Sequence, residues 1–301
     1  MRFLKKLGNG RAASAIRLLA ALLLCSVTAA GCFATGPGGG QEGESHIAIS
    51  GGAEEYEPVF FATKADMSVE EAEAVPVNLD EQTDECLIEA GGVYLLTGEM
   101  KGAVIIDAEE QITRLILDDV SISSGTGPAI LVRSAGKVVI TLKEGTENQL
   151  RDSGKYPAAA EENACIYSMC DLTINGSGSL EVYGYYKDGI HSRDVVKILG
   201  GQITIHAKRD GIRGNDGFMM GDGRLDIQSE GTGLRTTKSG RAGKGAVEIS
   251  GGSASVIAGE YAVSAVAELW MKDCDIALKG ILGDMQSQKG MYVQEECLKN
   301  E

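Results

Sequence analysis

One phrase, repeated, constrains this 301-residue chain more than any other feature in it. From Asp188 to Gly217 the run DGIHSRDVVKILGGQITIHAKRDGIRGNDG states a pattern twice: Asp-Gly-Ile, a short polar turn, then an apolar strand-like run. Ile190 and Ile212 stand 22 residues apart, and Leu234 follows after another 22. Ile166 holds the same slot 24 residues before Ile190, with Ile130 further upstream and Val263 downstream. A period of this length, with three short β-like runs and glycine at the corners, predicts an all-β solenoid. Each strand would pair with its counterpart one period on, about 4.8 Å away, so residues at matching positions stack in columns.

Composition narrows what such a body can do. The formal charge is −15, and residues 1–31 carry five basic residues and no acid, so the remainder stands at −20. A surface that acidic argues against a nucleic-acid partner and against lying on an anionic membrane, and suits a monomeric body that holds cations. The 41 glycines, against nine tyrosines and five phenylalanines, suit tight corners and narrow aliphatic layers.

The N-terminus reads as an export signal. A basic stretch, MRFLKKLGNGRAASAIR, precedes LLAALLLCSV, which is too short to span a bilayer. Ala29-Ala30-Gly31-Cys32 closes it in the manner of a bacterial lipoprotein signal, with lipid added to Cys32. Two or more acyl chains would hold the protein on the outer face of the cell membrane, and that anchor would be its sole tie to the bilayer. Residues 32–78 are Gly-rich and acidic and read as a tether with a short helix near 68–74, its last stretch packing on the solenoid as an N-terminal cap. From 79 to 301 the repeats run on, broken by RDSGKYPAAAEEN at 151–163, an insertion loop of the kind that carries binding residues. Leu115, Leu117, Val120 and Ile122 are expected to point inward. Outside residues 1–32 the cysteines are Cys86, Cys165, Cys170, Cys274 and Cys297; none has CxxC spacing, and they read as small buried residues with no pairing specified.

The ordered phrases GPAI, KVVITLKEGTENQL, IYS, DLTINGSGSLEV, the doubled phrase itself and AVEISGG resemble the calcium-binding, carbohydrate-binding β-helix family of bacterial surface lipoproteins. Members of that family are similar in fold to pectate lyases. The likeness covers roughly residues 95–258 and implies a right-handed single-stranded parallel β-helix with about 22–24 residues per coil, calcium sites and binding of acidic plant polysaccharide. The chain departs from the pattern at Thr232-Gly233-Leu234 and Tyr261-Ala262-Val263, where the carboxylate is lost.

Two columns then carry function. Alignment of Ile190 with Ile212 puts Asp188 over Asp210 and Asp194 over Asp216. Carboxylates about 5 Å apart repel, and they take a proton, find a cation or splay. With Asn215 and corner carbonyls they could serve Ca²⁺, which wants six to eight oxygens; the same aspartates also fit separate, solvated corner turns. The second column is basic: His191, Arg213 and Arg235 each follow an inward residue and so face out, with Arg193 and Arg209 on adjacent turns. Arginine forks suit the carboxylates of a polyuronate, or salt bridges to acids such as Glu230 and Asp216. Tyr185 and Tyr186 offer an aromatic face for a sugar ring, while Trp270 reads as a core or end residue. A polysaccharide lyase needs a base beside the uronate, and arginine resists deprotonation. The sequence therefore favours calcium-assisted binding of a polygalacturonate-like chain without catalysis, with a lyase and a structural spacer or adhesin as alternatives.

Overall fold

The computed structural model describes residues 51–240 and 244–299. Cys32, the export signal and the start of the expected tether lie outside the described residues.

The chain is all-β. Apart from the four-residue helix Lys64–Met67 and three short 3₁₀ turns, its elements are strands, and every strand pair among the described residues is parallel. Nine strands form one sheet, running in chain order from Glu85–Ile88 through Ala164–Ser168, Asp188–Ser192, Ile212–Gly214 and Leu234–Thr236 to Gly283–Ser287. Its inward residues are register partners in one unbroken column: Ile130, Ile166, Ile190, Ile212, Leu234 and Val263. All six are completely buried. Stacking branched aliphatic side chains this way removes each from water for roughly 1.5–3 kcal/mol, which fixes the register of the repeat.

The right-handed single-stranded parallel β-helix is not what forms, and the reason lies at the corners. That architecture needs each period to break into separate strands on separate faces. Instead, Ile112–Ser123 and Val195–Ala207 run on through their corners as strands of 12 and 13 residues. Gly201 has φ +86°, and a Cβ on Gly200 would lie 2.4 Å from the Gly176 carbonyl oxygen, so only glycine lets the ladder continue through that corner. Asp119, at φ 54°, makes the equivalent turn in Ile112–Ser123. Each long strand therefore pairs on both halves, within a 14-stranded sheet. Ile112–Ser123, Lys137–Leu142, Leu172–Gly176, Val195–Ala207, Ser179–Gly184 and Glu147–Arg151 close into a ring, a six-stranded parallel barrel continuous with the rest of the sheet. Leu115, Leu117, Val120 and Ile122 face the core as expected.

The described part of the acidic stretch, 51–78, lies along the large sheet. Its helix is Lys64–Met67, ahead of the expected 68–74, because Thr63 and Asp66 cap each other there. The segment crosses an outward column of the sheet whose register partners are Arg114, Val139, Thr173, Lys197, Met219, Glu248, Trp270 and Tyr292. Glu248 accepts the Tyr56 hydroxyl and the N–H groups of Val59 and Phe60. Asp66, fully buried, binds Lys137 at 2.7 Å, Lys197 at 3.1 Å and the Thr173 hydroxyl at 2.7 Å. Arg114 donates to the carbonyls of Ala65 and Ser68, and Trp270 to that of Ala53. Trp270 is thus an outward residue roofed by this strap.

Candidate functional site

The three strands Asp188–Ser192, Ile212–Gly214 and Leu234–Thr236 set the site. Their inward residues anchor the core, so the next residue of each points out, and His191, Arg213 and Arg235 stand in register. Tyr167 precedes this row on the neighbouring strand; Ser264 and Gln286 follow it.

The charges in the row are unequally satisfied. Arg209 grips Asp188 with both arms of its fork, Nε to Oδ1 at 2.7 Å and NH2 to Oδ2 at 2.6 Å. Asp188 and Asp210 also turn inward to the backbone: the Asp188 carboxylate accepts from the Asp210 N–H and that of Asp210 from the Thr232 N–H. Burial raises the Asp188 proton affinity, against the pull of Arg209. Arg235 lies 3.6 Å from Asp210 Oδ2. Arg213, between the other two, is half-buried, donates Nε to Asn215 Oδ1 at 3.2 Å, and has no carboxylate at ion-pair distance among the described residues. Burial, opposed by Asp188 and helped by Arg209, pulls its proton affinity below the usual guanidinium range.

His191 is a buried, neutral spacer in this row. Its Nδ1 is 2.5 Å from Asn163 Oδ1, at the end of the insertion loop, and its Nε2 is 3.2 Å from Asn215 Oδ1. Its ring meets Tyr167 edge-on at 5.2 Å. Burial, with Arg213 nearby, pushes its pKa down to about 3.

The structure brings Asp194 and Asp216 together, the Asp216 N–H donating to the Asp194 carbonyl. Burial and Asp216 raise the Asp194 carboxyl. Asp216 is held by Lys244 and by Lys238 at 3.3 Å. Asn215 Oδ1 accepts from Thr237 at 2.6 Å besides Arg213. Asp188 thus faces a guanidinium and Asp216 two ammonium groups, while Asp210 Oδ2 and Asp216 Oδ1 are buried without a hydrogen-bond partner; the described residues hold no grouping of three or more acid, histidine or cysteine side chains arranged for a metal. Calcium held by Asp188, Asp210, Asn215, Asp216 and Asp194 would have to displace Arg209 from Asp188, and Lys238 and Lys244 from Asp216.

Of the two tyrosines, Tyr186 is engaged: it stacks on Tyr156 of the insertion loop at 4.2 Å, with the Lys187 ammonium 4.5 Å over its ring. Tyr185 is 53% exposed and lies beside Tyr183 at 5.8 Å. Arg193 reaches Glu161 of the same loop at 3.4 Å. Sequence reasoning missed Lys238, Lys244, Asn163 and Tyr167. The two lysines lie in RTTKSGRAGK after the third repeat, where the cadence of cations was the available signal. Cavities of about 680 and 470 Å³ are lined by other residues, such as Asn175 with Lys143 and Gln149 with Glu181, while one of about 380 Å³ is lined by Tyr185 with His206, Lys208 and Glu230.

A family model described as carbohydrate-binding domain-containing protein matches residues 62–298, well beyond 95–258. A protein of that same description from Acetivibrio thermocellus is 36% identical over 129 residues, 41% of this chain and 45% of its own length. The chain therefore spans under half of that relative. The solved structure of a polysaccharide lyase-like protein from C. thermocellum, a gadolinium derivative, is similar with a TM-score of 0.72 at 29% identity, covering 74% of this chain and 97% of the other.

Proposed function

This chain belongs to the carbohydrate-binding domain family, and from that premise we propose that it binds an acidic, polygalacturonate-like polysaccharide along the His191–Arg213–Arg235 row without cleaving it. The observation that carries this reading is Arg213. A half-buried guanidinium near Arg209 and Arg235, with no carboxylate at ion-pair distance among the described residues, gains most from an anion that arrives from outside. A sugar carboxylate supplies that anion. Consecutive strands about 4.8 Å apart present the cations at a repeat comparable to one sugar ring. Exposed Tyr185, beside Tyr183, offers a ring face against which a sugar can stack.

Export on a lipid at Cys32 is supported by the basic, apolar and small-residue order of 1–32. Cys32→Ser is expected to move the protein from the membrane fraction to the soluble one; unchanged partitioning would refute the anchor.

The deciding experiment is titration calorimetry with polygalacturonate, with and without calcium, while following the ultraviolet absorbance of unsaturated product. Heat without absorbance supports binding. Rising absorbance favours the second reading, a lyase, for which the lowered proton affinity of Arg213 is the specific feature. Neither signal leaves a structural spacer.

A further inference from the structure

Two thiols at the C-terminal end are laid side by side by the fold. The turn before strand Asp275–Gly280 and the last segment of the described chain are laced by four bonds. Gln294 N–H donates to the Met271 carbonyl at 2.9 Å, Asp273 N–H to Gln294 Oε1 at 2.9 Å, and Lys299 N–H to the Ile276 carbonyl at 2.9 Å. The fourth bond runs from the Cys274 N–H to Cys297 Sγ at 3.3 Å. Ile276 and Leu298 form a parallel bridge, so Cys274 and Cys297 stand one residue off a direct pair. The Cys297 sulfur thus lies against the Cys274 backbone, and the two thiols are within side-chain hydrogen-bonding reach of one another. Cys86, Cys165 and Cys170 are buried elsewhere in the core, without a sulfur partner of this kind.

We infer that Cys274 and Cys297 form a disulfide once the protein meets an oxidising environment, locking the C-terminal end of both sheets. Each thiol loses a proton and one electron; the S–S bond forms, and a small disulfide such as oxidised glutathione takes both electrons and both protons as two thiols. The cross-link closes a loop 23 residues apart in sequence and spans Gly283–Ser287 and Gly290–Val293, the last strands of the two sheets. Among the described residues Gly283–Ser287 pairs on one side only and Gly290–Val293 has beyond it only the single bridge from Gly51 to Tyr292, so fixing their return to Asp275–Gly280 protects them from fraying. Cys297 is buried and Cys274 half-buried, which slows exchange in the folded protein, so the bond forms most readily as the end segment docks.

The full chain, refolded in a mixture of oxidised and reduced glutathione, is alkylated and digested with trypsin without reduction. The expected product joins peptide 273–279 to peptide 290–299 and separates on reduction. Oxidation is expected to raise Tm by several degrees, and Cys274→Ser and Cys297→Ser each to remove that rise while the reduced proteins melt alike. Recovery of both peptides fully alkylated overturns the inference. So does a cross-link from either cysteine to Cys86, Cys165 or Cys170. The result is independent of what the basic row binds.

Discussion

The molecule carries two outward rows of charged side chains stacked by the same parallel register, and they end differently. On the large sheet, Arg114, Lys197 and Glu248 are met by the chain itself: the strap at 53–68 brings Asp66 to the lysines and backbone groups to Arg114 and Glu248. Beside and on the small sheet, Arg209 and Arg235 have Asp188 and Asp210, while Arg213 has no carboxylate at ion-pair distance among the described residues. A buried charge with its partner built in holds a structure together. One whose partner is missing is a place for a ligand.

The sharpest way to break this contrast is to unmake the finished row. Asp66→Ala strands Lys137 and Lys197 under the strap, and a buried ion network broken on one side costs about 3–5 kcal/mol. Thermal unfolding should show a fall on the order of 10 °C, with polyuronate affinity unchanged in the protein that remains folded. A small Tm change would mean that the strap is as dispensable as an exposed loop.

The unfinished row should answer the opposite way. Arg213→Ala with Arg235→Ala is expected to weaken polygalacturonate binding on the order of 100-fold, since each charge-assisted bond is worth about 1.5–3 kcal/mol. Tm should move by less than about 2 °C, as neither side chain carries core packing. Intact affinity in calorimetry would remove the row from the site.

Acid should reveal both rows in sequence. His191 is neutral in the fold, its pKa down to about 3 from 6.5, so the unfolded chain takes up its proton first and stability falls as pH drops from 6.5 towards 3. Asp66 is held well below its usual 3.8: burial opposes its charge, and Lys137, Thr63 and Thr173 more than offset that. Its contribution is full above pH 3.8 and is lost below it. Denaturant midpoints against pH should show two regimes, and His191→Gln should flatten only the upper one.

The smallest effect expected is that of calcium. With Arg209 on Asp188 and Lys244 on Asp216, added calcium or a chelator should shift Tm by less than about 1 °C. A larger rise that Asp210→Asn abolishes would show the aspartate column turning to a cation.

What the sequence made legible is what a period makes legible. Ile166, Ile190, Ile212 and Leu234 announce their column because inward residues recur, and the outward His191, Arg213 and Arg235 follow by alternation. The corners were not legible. Gly200-Gly201 reads as a strand end, and only a positive φ shows that the ladder passes through it. Of the strap, packing of its last stretch on the body was legible but its path was not: the partners of Asp66 lie 71, 107 and 131 residues away, and no local pattern reports them.

The strap also decides how the molecule would yield to a pull. It starts at Gly51, which bridges Tyr292 on the last strand of the large sheet, and then crosses one strand after another towards Arg114. Tension applied at the N-terminal end therefore loads its attachments singly and in order: Tyr292, Trp270, Glu248, Lys197, then Asp66 with its two lysines. Such a seam unzips at low force and lengthens as it goes, so a tug is spent along the surface before the ladders beneath bear any load.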